Sequence, residues 1–256
     1  MSDRAFVPTM GALHAGHFRL IERAREIADE VVVSIFVNPL QFENQSDLAA
    51  YPRNLEADTE AAIKAGATTI WAPTIGEIYP EGDIQKISAG AMGSIFEGAA
   101  RSGHFDGVLT VVQRLFAHVQ PRYAIFGEKD FQQLTIIKSW VRQGSIPVEI
   151  ISEPTVRDSD GLALSSRNAR LNEQGRRAAL VIPRALTAAV AHRSLDAGLA
   201  ELANEPAFTL DYFDYVDERN LSSIKDMNIG GRFLLAGWVN EVRLLDNMPM
   251  RQAVAE

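Results

Sequence analysis

Strand-like and helix-like patterns alternate along the first 155 residues, and this alternation is the feature that most constrains the fold. The run from Val31 to Val37 is apolar without polar alternation, which is typical of a strand buried on both faces of a parallel sheet. Strands are predicted at 5–8, 31–37, 68–72, 123–126 and 148–151, with helices at 14–30, 55–65, 105–119 and 131–142. We therefore predict an α/β fold, with a doubly wound, parallel, Rossmann-like N-terminal domain.

The pattern changes after Pro154. A turn-rich segment extends to Asn168, a long helical region follows over residues 173–204, and strand-like runs occur at 211–216, 232–236 and 241–245. These features predict a smaller α+β domain. The expected boundaries are 1–155 for the Rossmann-like domain and 156–256 for the C-terminal domain.

Composition limits the partners of the chain. The formal net charge is -8 and the pI about 5.2, so a broad surface for nucleic acid is not expected. The sequence contains no Cys, which excludes disulfides and thiolate metal sites. The N-terminus lacks a signal-peptide pattern, and no apolar run approaches the roughly 20 residues that span a bilayer. We therefore expect a cytoplasmic protein without a membrane or nucleic-acid partner.

Two histidines lie at the predicted turn from the first strand to the first helix, in the string Met10–His17. Ligands of open α/β sheets bind at the carboxyl ends of the strands, and a helix N-terminus attracts phosphate. Gly11 permits a tight turn, and Gly16 permits a close approach. His14 and His17, three residues apart, would face the same phosphates. The alternative is that the pair only caps the helix.

A charged turn, Gly127-Glu128-Lys129-Asp130, follows the strand predicted at 123–126. It is expected at the same edge of the sheet as the histidines. Lys129 could neutralise a phosphate, and Asp130 could accept hydrogen bonds from ribose hydroxyls. The alternative is an ordinary solvated loop.

The segment Leu164–Asn168 precedes a predicted helix. Ser165, Ser166 and Arg167 could close over the β- and γ-phosphates of a nucleotide on a mobile loop. Ser and Asn are also ordinary residues at helix starts, so a simple capping role is the alternative.

The remaining candidate binding residues are two glutamines and the basic residues Arg101 and His104. Gln41 follows the second strand and Gln133 lies just inside the helix after Lys129. A neutral amide can bind a carboxylate and a hydroxyl without shifting their ionisation. Arg101 and His104 precede another helix, and for these two we favour surface roles over contact with an anion.

Taken in this order, these segments resemble the pantothenate synthetase family. That family belongs to a nucleotidyltransferase superfamily that shares an HxGH motif with class I aminoacyl-tRNA synthetases. The resemblance runs over nearly the whole chain, although Leu164 stands where Met is usual and Ala15 where Glu is common. Its most specific strings are Val7–His14, Phe36–Phe42, Gly127–Gln133, Ser165–Asn168 and Arg243–Asn247.

The resemblance implies an ATP-dependent ligase that activates pantoate as an acyl-adenylate and joins it to β-alanine, releasing pyrophosphate and AMP. It also implies Mg²⁺ bound mainly through the ATP phosphates, with no protein ligand assigned to the metal, and a homodimer. The N-terminal domain would bind ATP and pantoate, and the C-terminal domain would act as a lid.

The resemblance also implies site residues. His17 would be the proton donor, with His14 and Lys129 as further catalytic groups. Gln41 and Gln133 would hold pantoate, and Gln41 would also lie near β-alanine. The implied ATP contacts are Met10, Gly11, Ala12, Leu13, His14, Ala15, Gly16, His17, Gly127, Glu128, Lys129, Asp130, Val156, Leu164, Ser165, Ser166 and Arg167.

Two rival functions remain at the level of sequence. Another HxGH nucleotidyltransferase would need additional basic residues for a phosphorylated acceptor, whereas Gln41 and Gln133 suit a neutral pocket for an acid. A nucleotide-binding module without activity would bind ATP but show no pantoate-dependent release of pyrophosphate.

Overall fold

The computed structural model describes residues 3–42, 48–49, 51–80 and 84–252. The chain forms two compact units. The N-terminal unit comprises Met1–Glu128 and Gln132–Pro154, and the C-terminal unit comprises Lys129–Phe131 and Thr155–Glu256. The short stretch Lys129–Phe131 therefore groups with the second unit, although it lies within the first part of the sequence.

Five parallel strands form the sheet of the N-terminal unit, in the order β3-β2-β1-β4-β5. The strands are β1 (Arg4–Thr9), β2 (Glu30–Ile35), β3 (Thr69–Trp71), β4 (Tyr123–Gly127) and β5 (Glu149–Glu153). The C-terminal unit adds a smaller antiparallel sheet. The predicted fold class is confirmed.

Helices connect these strands and cover both faces of the sheet. On one face, Ala5 and Val7 pack with Ile21 of the first helix. On the other face, Phe6 meets Phe116 edge to face at 6.3 Å, because successive side chains of a strand point to opposite faces. The helices are α1 (Ala15–Ile27), α2 (Leu55–Ala65), α3 (Ile75–Ile78), α4 (Glu97–Ala100), α5 (His104–Val119) and α6 (Phe131–Gln143).

The strand order creates a switch point between β1 and β4. From β1 the chain moves outward to β2 and β3, whereas β4 and β5 extend the sheet on the other side. The carboxyl ends of β1 and β4 lie at Thr9 and Gly127, and α1 and a short 3-10 turn, Glu128–Asp130, follow them. Open α/β sheets bind their ligands at such a point.

The C-terminal unit packs helices against an antiparallel sheet of order β6-β7-β8. Its elements are α7 (Glu173–Ala179), α8 (Val181–His192), α9 (Leu195–Ala203), β6 (Phe208–Val216), β7 (Gly231–Val239) and β8 (Val242–Met250). The helical region predicted over residues 173–204 consists of three helices. Arg193 adopts a left-handed φ of 48°, and the side chain of Ser194 caps α9, so the chain turns between α8 and α9.

A partly buried ion pair anchors the segment that leads into this unit. Leu164 N–H donates to the carbonyl of Val156, which closes a hairpin. Arg157 in this hairpin donates through both Nη atoms to the carboxylate of Asp246 on β8, at 2.6 and 3.0 Å. Burial raises the pKa of Asp246, and the Arg157 guanidinium opposes that shift. The pair therefore fixes the hairpin to β8.

Candidate active site

The loop between β1 and α1 is shaped by a carboxylate from another helix. Gly11 and Ala12 adopt left-handed φ values of 82° and 52°. The buried Asp58 of α2 accepts from Ala12 N–H at 2.9 Å and from Leu13 N–H at 2.8 Å. A Cβ on Gly11 would lie 2.8 Å from Asp58 Oδ2. Glycine is therefore required both for the backbone angle and for the approach of the carboxylate.

His14 and His17 cap the start of α1 reciprocally. Gly16 N–H donates to His14 Nδ1, and His14 N–H donates to His17 Nδ1, each at 3.2 Å. The two rings lie 4.1 Å apart between centroids. The two histidines therefore cap the helix, as the alternative interpretation of the sequence predicts. Since both Nδ1 atoms accept a hydrogen bond, the proton of each neutral ring lies on Nε2.

Gly16 permits this arrangement because the His14 ring folds over it. A Cβ at Gly16 would lie 2.9 Å from His14 Cε1. Any side chain there would push the ring away from its hydrogen bond. The glycine of the HxGH string is therefore explained by contact with the first histidine.

Most backbone donors at the start of α1 already have internal acceptors. His17 N–H donates to the His14 carbonyl at 2.8 Å, and the N–H groups of Ala12, Leu13, His14 and Gly16 are bound as described. The sequence predicts that such N–H groups would bind phosphate. The imidazoles differ from them in carrying a donor, Nε2–H, that the cap itself does not use.

Gln41 lies in a 3-10 turn, Pro39–Gln41, directly after β2. Its Oε1 accepts from Asn38 Nδ2 at 3.0 Å, and its Nε2 lies 2.9 Å from Met10 Sδ. The structure therefore brings together two predicted site residues, Met10 from the β1 loop and Gln41 from the β2 loop.

The expected surface role of His104 is wrong. Its side chain is buried, and its Nδ1 lies 2.9 Å from the carbonyl of Gln41, to which Arg101 also donates at 3.1 Å. The cause is the close packing of α5 on the Gln41 turn. A Cβ at Gly107 would lie only 2.3 Å from the carbonyl oxygen of Leu40, so glycine allows the two backbones to meet.

Two adjacent glutamines of α6 differ in their surroundings. Gln132 is buried and bonded at both ends of its amide: it accepts from Glu97 N–H and donates to the carbonyls of Met92 and Ile95. The predicted substrate residue Gln133 is partly exposed. Its side-chain amide makes no hydrogen bond to any residue in the described ranges.

In the C-terminal unit, the backbone of Lys129 is fixed by a chain of polar contacts. Its carbonyl accepts from Asn247 Nδ2 at 2.9 Å, and Asn247 Oδ1 accepts from Arg232 Nη1 at 2.6 Å. The Arg232 guanidinium also lies over the ring of Phe131, 4.0 Å from its centroid. The ammonium of Lys129 lies 3.5 Å from Asp130 Oδ1.

Three of the predicted nucleotide residues line one pocket of this unit: Lys129, Ser165 and Arg167. Ser165 also caps the 3-10 turn Ser166–Arg170, where its Oγ accepts from Arg167 N–H at 3.3 Å. Ser165 therefore both caps this turn and lines the pocket. Leu164, Ser166 and Val156 adjoin this segment but do not line the pocket.

Sequence reasoning missed residues that hold the site together. Asp58 follows the cap Asn54 and has the pattern of an ordinary first-turn acid. Asn38 before Pro39 has the pattern of a strand end. No local signal joins Asp58 to the β1 loop or Arg157 to Asp246, because each pair is distant along the chain.

Metal-binding clusters and membrane-spanning helices are both absent from the part of the chain that the structure describes. Those residues contain no group of three or more His, Asp or Glu side chains placed to hold a metal ion. Within the same ranges, no helix is long and apolar enough to cross a membrane.

Comparison with known proteins connects this geometry to a family. The family model for pantoate-beta-alanine ligase matches residues 2–249. The pantothenate synthetase of Thermus thermophilus is 47% identical over 253 residues, which cover 95% of this chain and 91% of that protein. The pantothenate synthetase of Rhizorhabdus wittichii is 46% identical over 257 residues, which cover 97% of this chain and 91% of that protein. The chain belongs to the pantoate-beta-alanine ligase family.

Comparison with solved structures gives the same family. A crystal structure of the Thermus thermophilus pantothenate synthetase superposes with a TM-score of 0.92 at 45% identity, covering 97% of this chain and 94% of that one. The Francisella tularensis pantoate-beta-alanine ligase, complexed with beta-gamma ATP and β-alanine, gives a TM-score of 0.81 at 36% identity. The match covers 97% of this chain and 90% of that one. The resemblance inferred from the motifs is confirmed, and the ligase class of the enzyme follows from the family.

The contact of Asp58 with the β1 loop gives a testable prediction. In Asp58→Asn one N–H of the loop faces an NH₂ group, so the free energy of unfolding should fall by about 1–3 kcal/mol. Amide hydrogen exchange at Ala12 and Leu13 should become faster. The matched control is Asp196→Asn, an exposed first-turn acid of α9, which should lose only the helix-dipole contribution of about 0.3–1 kcal/mol. Unchanged exchange at Ala12 and Leu13 would contradict the assignment.

Proposed function

We propose that this ligase condenses pantoate with β-alanine in two ATP-dependent steps. In the first, a carboxylate oxygen of pantoate attacks the α-phosphorus of ATP, the bond from that phosphorus to the bridging oxygen breaks, and pyrophosphate leaves. In the second, the neutral amine of β-alanine attacks the acyl carbon, AMP leaves with the bonding electrons of the acyl–oxygen bond, and the nitrogen releases one proton to water as the amide forms. The products are pantothenate, AMP and pyrophosphate.

The observation that carries this proposal is the reciprocal cap of His14 and His17 at the carboxyl end of β1. Each neutral imidazole is a donor at Nε2, because its Nδ1 accepts a backbone N–H. Negative charge grows on the phosphate oxygens as pyrophosphate leaves. Preorganised donors lower the energy of such a transition state more than that of bound ATP. We assign hydrogen-bond donation to both rings: His17, the proton donor that the resemblance implies, donates a hydrogen bond to the phosphate oxygens and keeps its proton.

Gln41 and Gln133 are proposed to bind pantoate. Gln41 is held by Asn38, and the side-chain amide of Gln133 has no hydrogen-bond partner among the residues that the structure describes. Neutral amides bind the acid without lowering the nucleophilicity of its carboxylate through a salt bridge. The β-alanine named in the Francisella tularensis complex supports the second substrate.

For the nucleotide, the beta-gamma ATP of the same complex supports ATP as co-substrate. In the C-terminal unit we propose that Lys129, Ser165 and Arg167 bind phosphate oxygens, since these side chains line one pocket there. The remaining proposed contacts come from the motif matches: Met10, Gly11, Ala12, Leu13, Ala15 and Gly16 in the β1 loop, Gly127, Glu128 and Asp130 after β4, and Val156, Leu164 and Ser166 in the C-terminal unit.

Mg²⁺ is proposed to accompany ATP. Mg²⁺ keeps several waters and commonly binds through substrate phosphates rather than through an all-protein cage. The described residues offer no group of three or more His, Asp or Glu that would form such a cage. The ion would neutralise phosphate charge, while the donors named above position the phosphate oxygens.

The proposed reaction is tested by omitting each substrate in turn while pyrophosphate release is measured. ATP with pantoate alone should give at most one equivalent of pyrophosphate per site, because the adenylate stays bound. Sustained release should require β-alanine, and the nucleotide product should be AMP. Steady formation of ADP, or release that does not depend on pantoate, would overturn the proposal.

Two substitutions separate the capping role of His17 from its catalytic role. In His17→Asn the side-chain oxygen can replace Nδ1 as cap, but the Nε2–H donor is lost. Single-turnover adenylation should fall by about 10² to 10³, with a melting temperature close to that of the wild type. His17→Ala should show a similar kinetic loss together with a lower melting temperature. Near-normal adenylation in His17→Asn would remove His17 from the chemistry.

A further inference from the structure

The amide of Asn38 is buried and has a partner for every hydrogen-bonding position. Its Nδ2 donates to the Gly107 carbonyl at 3.1 Å and to Gln41 Oε1 at 3.0 Å. Its Oδ1 accepts from Leu40 N–H at 3.2 Å and from the Tyr79 hydroxyl at 2.7 Å. A carbonyl can only accept and an N–H can only donate, so these backbone groups decide which end of the amide is nitrogen.

This orientation determines the polarity of Gln41. Because Asn38 Nδ2 is a donor, the atom of Gln41 that faces it must be the oxygen. The nitrogen of Gln41 then lies on the other side, next to Met10 Sδ at 2.9 Å. Thioether sulfur is a weak acceptor, so it competes poorly with a carboxylate or hydroxyl oxygen for the N–H groups of Gln41.

Tyr79 makes the shortest of the four contacts to Asn38. Its ring is buried and lies 6.2 Å from that of Phe36, so the hydroxyl has little freedom to move. Burial raises the pKa of Tyr79, and its phenol therefore keeps the proton that it donates. Loss of the hydroxyl would leave Asn38 Oδ1, on a buried side chain, with only the longer bond from Leu40 N–H.

We infer that Tyr79 is a positioning residue that acts through Asn38 to present Gln41 to pantoate as a hydrogen-bond donor. The inference rests on the proposed function of Gln41 and deepens it. Pantoate oxygens would be recognised at this position as acceptors. Tyr79 itself need not touch the substrate.

The test is Tyr79→Phe, which keeps the ring and removes only the hydroxyl. The KM for pantoate should rise about tenfold, the usual consequence of losing one buried hydrogen bond, while the KM for ATP stays within about twofold. In a Gln41→Ala background, Tyr79→Phe should change the KM for pantoate by less than about twofold, because the two residues act in series. Equal effects on both substrates, or full additivity with Gln41→Ala, would overturn the inference.

Tyr215→Phe serves as the matched control. Tyr215 is fully buried in the C-terminal unit, and its hydroxyl donates to the carbonyl of Ile229. This variant should lower the melting temperature without changing the KM for pantoate. A rise in that KM equal to the rise in Tyr79→Phe would show a general effect of stability and overturn the positioning role.

A second measurement does not depend on activity. The side-chain amide signals of Gln41 can be identified in a ¹H–¹⁵N spectrum by their disappearance in Gln41→Ala. They should shift in Tyr79→Phe and not in Tyr215→Phe. If they do not shift in Tyr79→Phe, the connection through Asn38 is overturned. An inactive wild-type enzyme with these shifts would instead overturn the proposed function and leave the connection standing.

Discussion

The hydrogen bonds that His14 and His17 exchange with the start of α1 are the interaction on which the proposed site depends. They use Nδ1 of both rings, and so place the proton of each neutral ring on Nε2. From sequence alone, helix capping is an alternative to a catalytic role for these histidines. In the structure, capping is instead the cause of the proposed catalytic geometry. The cap fixes each tautomer, and in the proposed mechanism the tautomer makes each ring a donor to developing negative charge.

The rest of the N-terminal unit supports this cap through close contacts that side chains would prevent. Gly16 leaves room for the His14 ring, and Gly11 leaves room for the Asp58 carboxylate. Asp58 in turn holds the two N–H groups that precede His14. Gln41 is supported similarly by Asn38. Groups proposed to contact substrate are therefore held by residues whose own hydrogen bonds are satisfied within the fold.

Local patterns are sufficient to predict the sheet and most helices. The apolar runs of β1, β2 and β4 and the helical spacing of α5 identify these elements, and Gly66 ends α2 with a left-handed φ of 116°, as its position after the helix predicts. The position of the motif after β1 also predicts that His14 and His17 lie at the start of α1. The burial of His104, the contact from Asp58 and the Arg157–Asp246 pair are not predictable, because each depends on chain segments that only the tertiary fold brings together. The break between α8 and α9 depends on one left-handed residue, Arg193, for which the apolar spacing gives no signal.

The protonation state of the two capping rings is the most direct test of their donor role. A long-range ¹H–¹⁵N correlation spectrum of the imidazole nitrogens, recorded above the pH at which the rings lose their charge, distinguishes the two neutral tautomers. Loss of one set of signals in His17→Asn would identify the rings. We expect His14 and His17 both to carry the proton on Nε2, with Nδ1 unprotonated and shifted by its hydrogen bond. A proton on Nδ1 of either ring would contradict the reciprocal cap and the donor role derived from it.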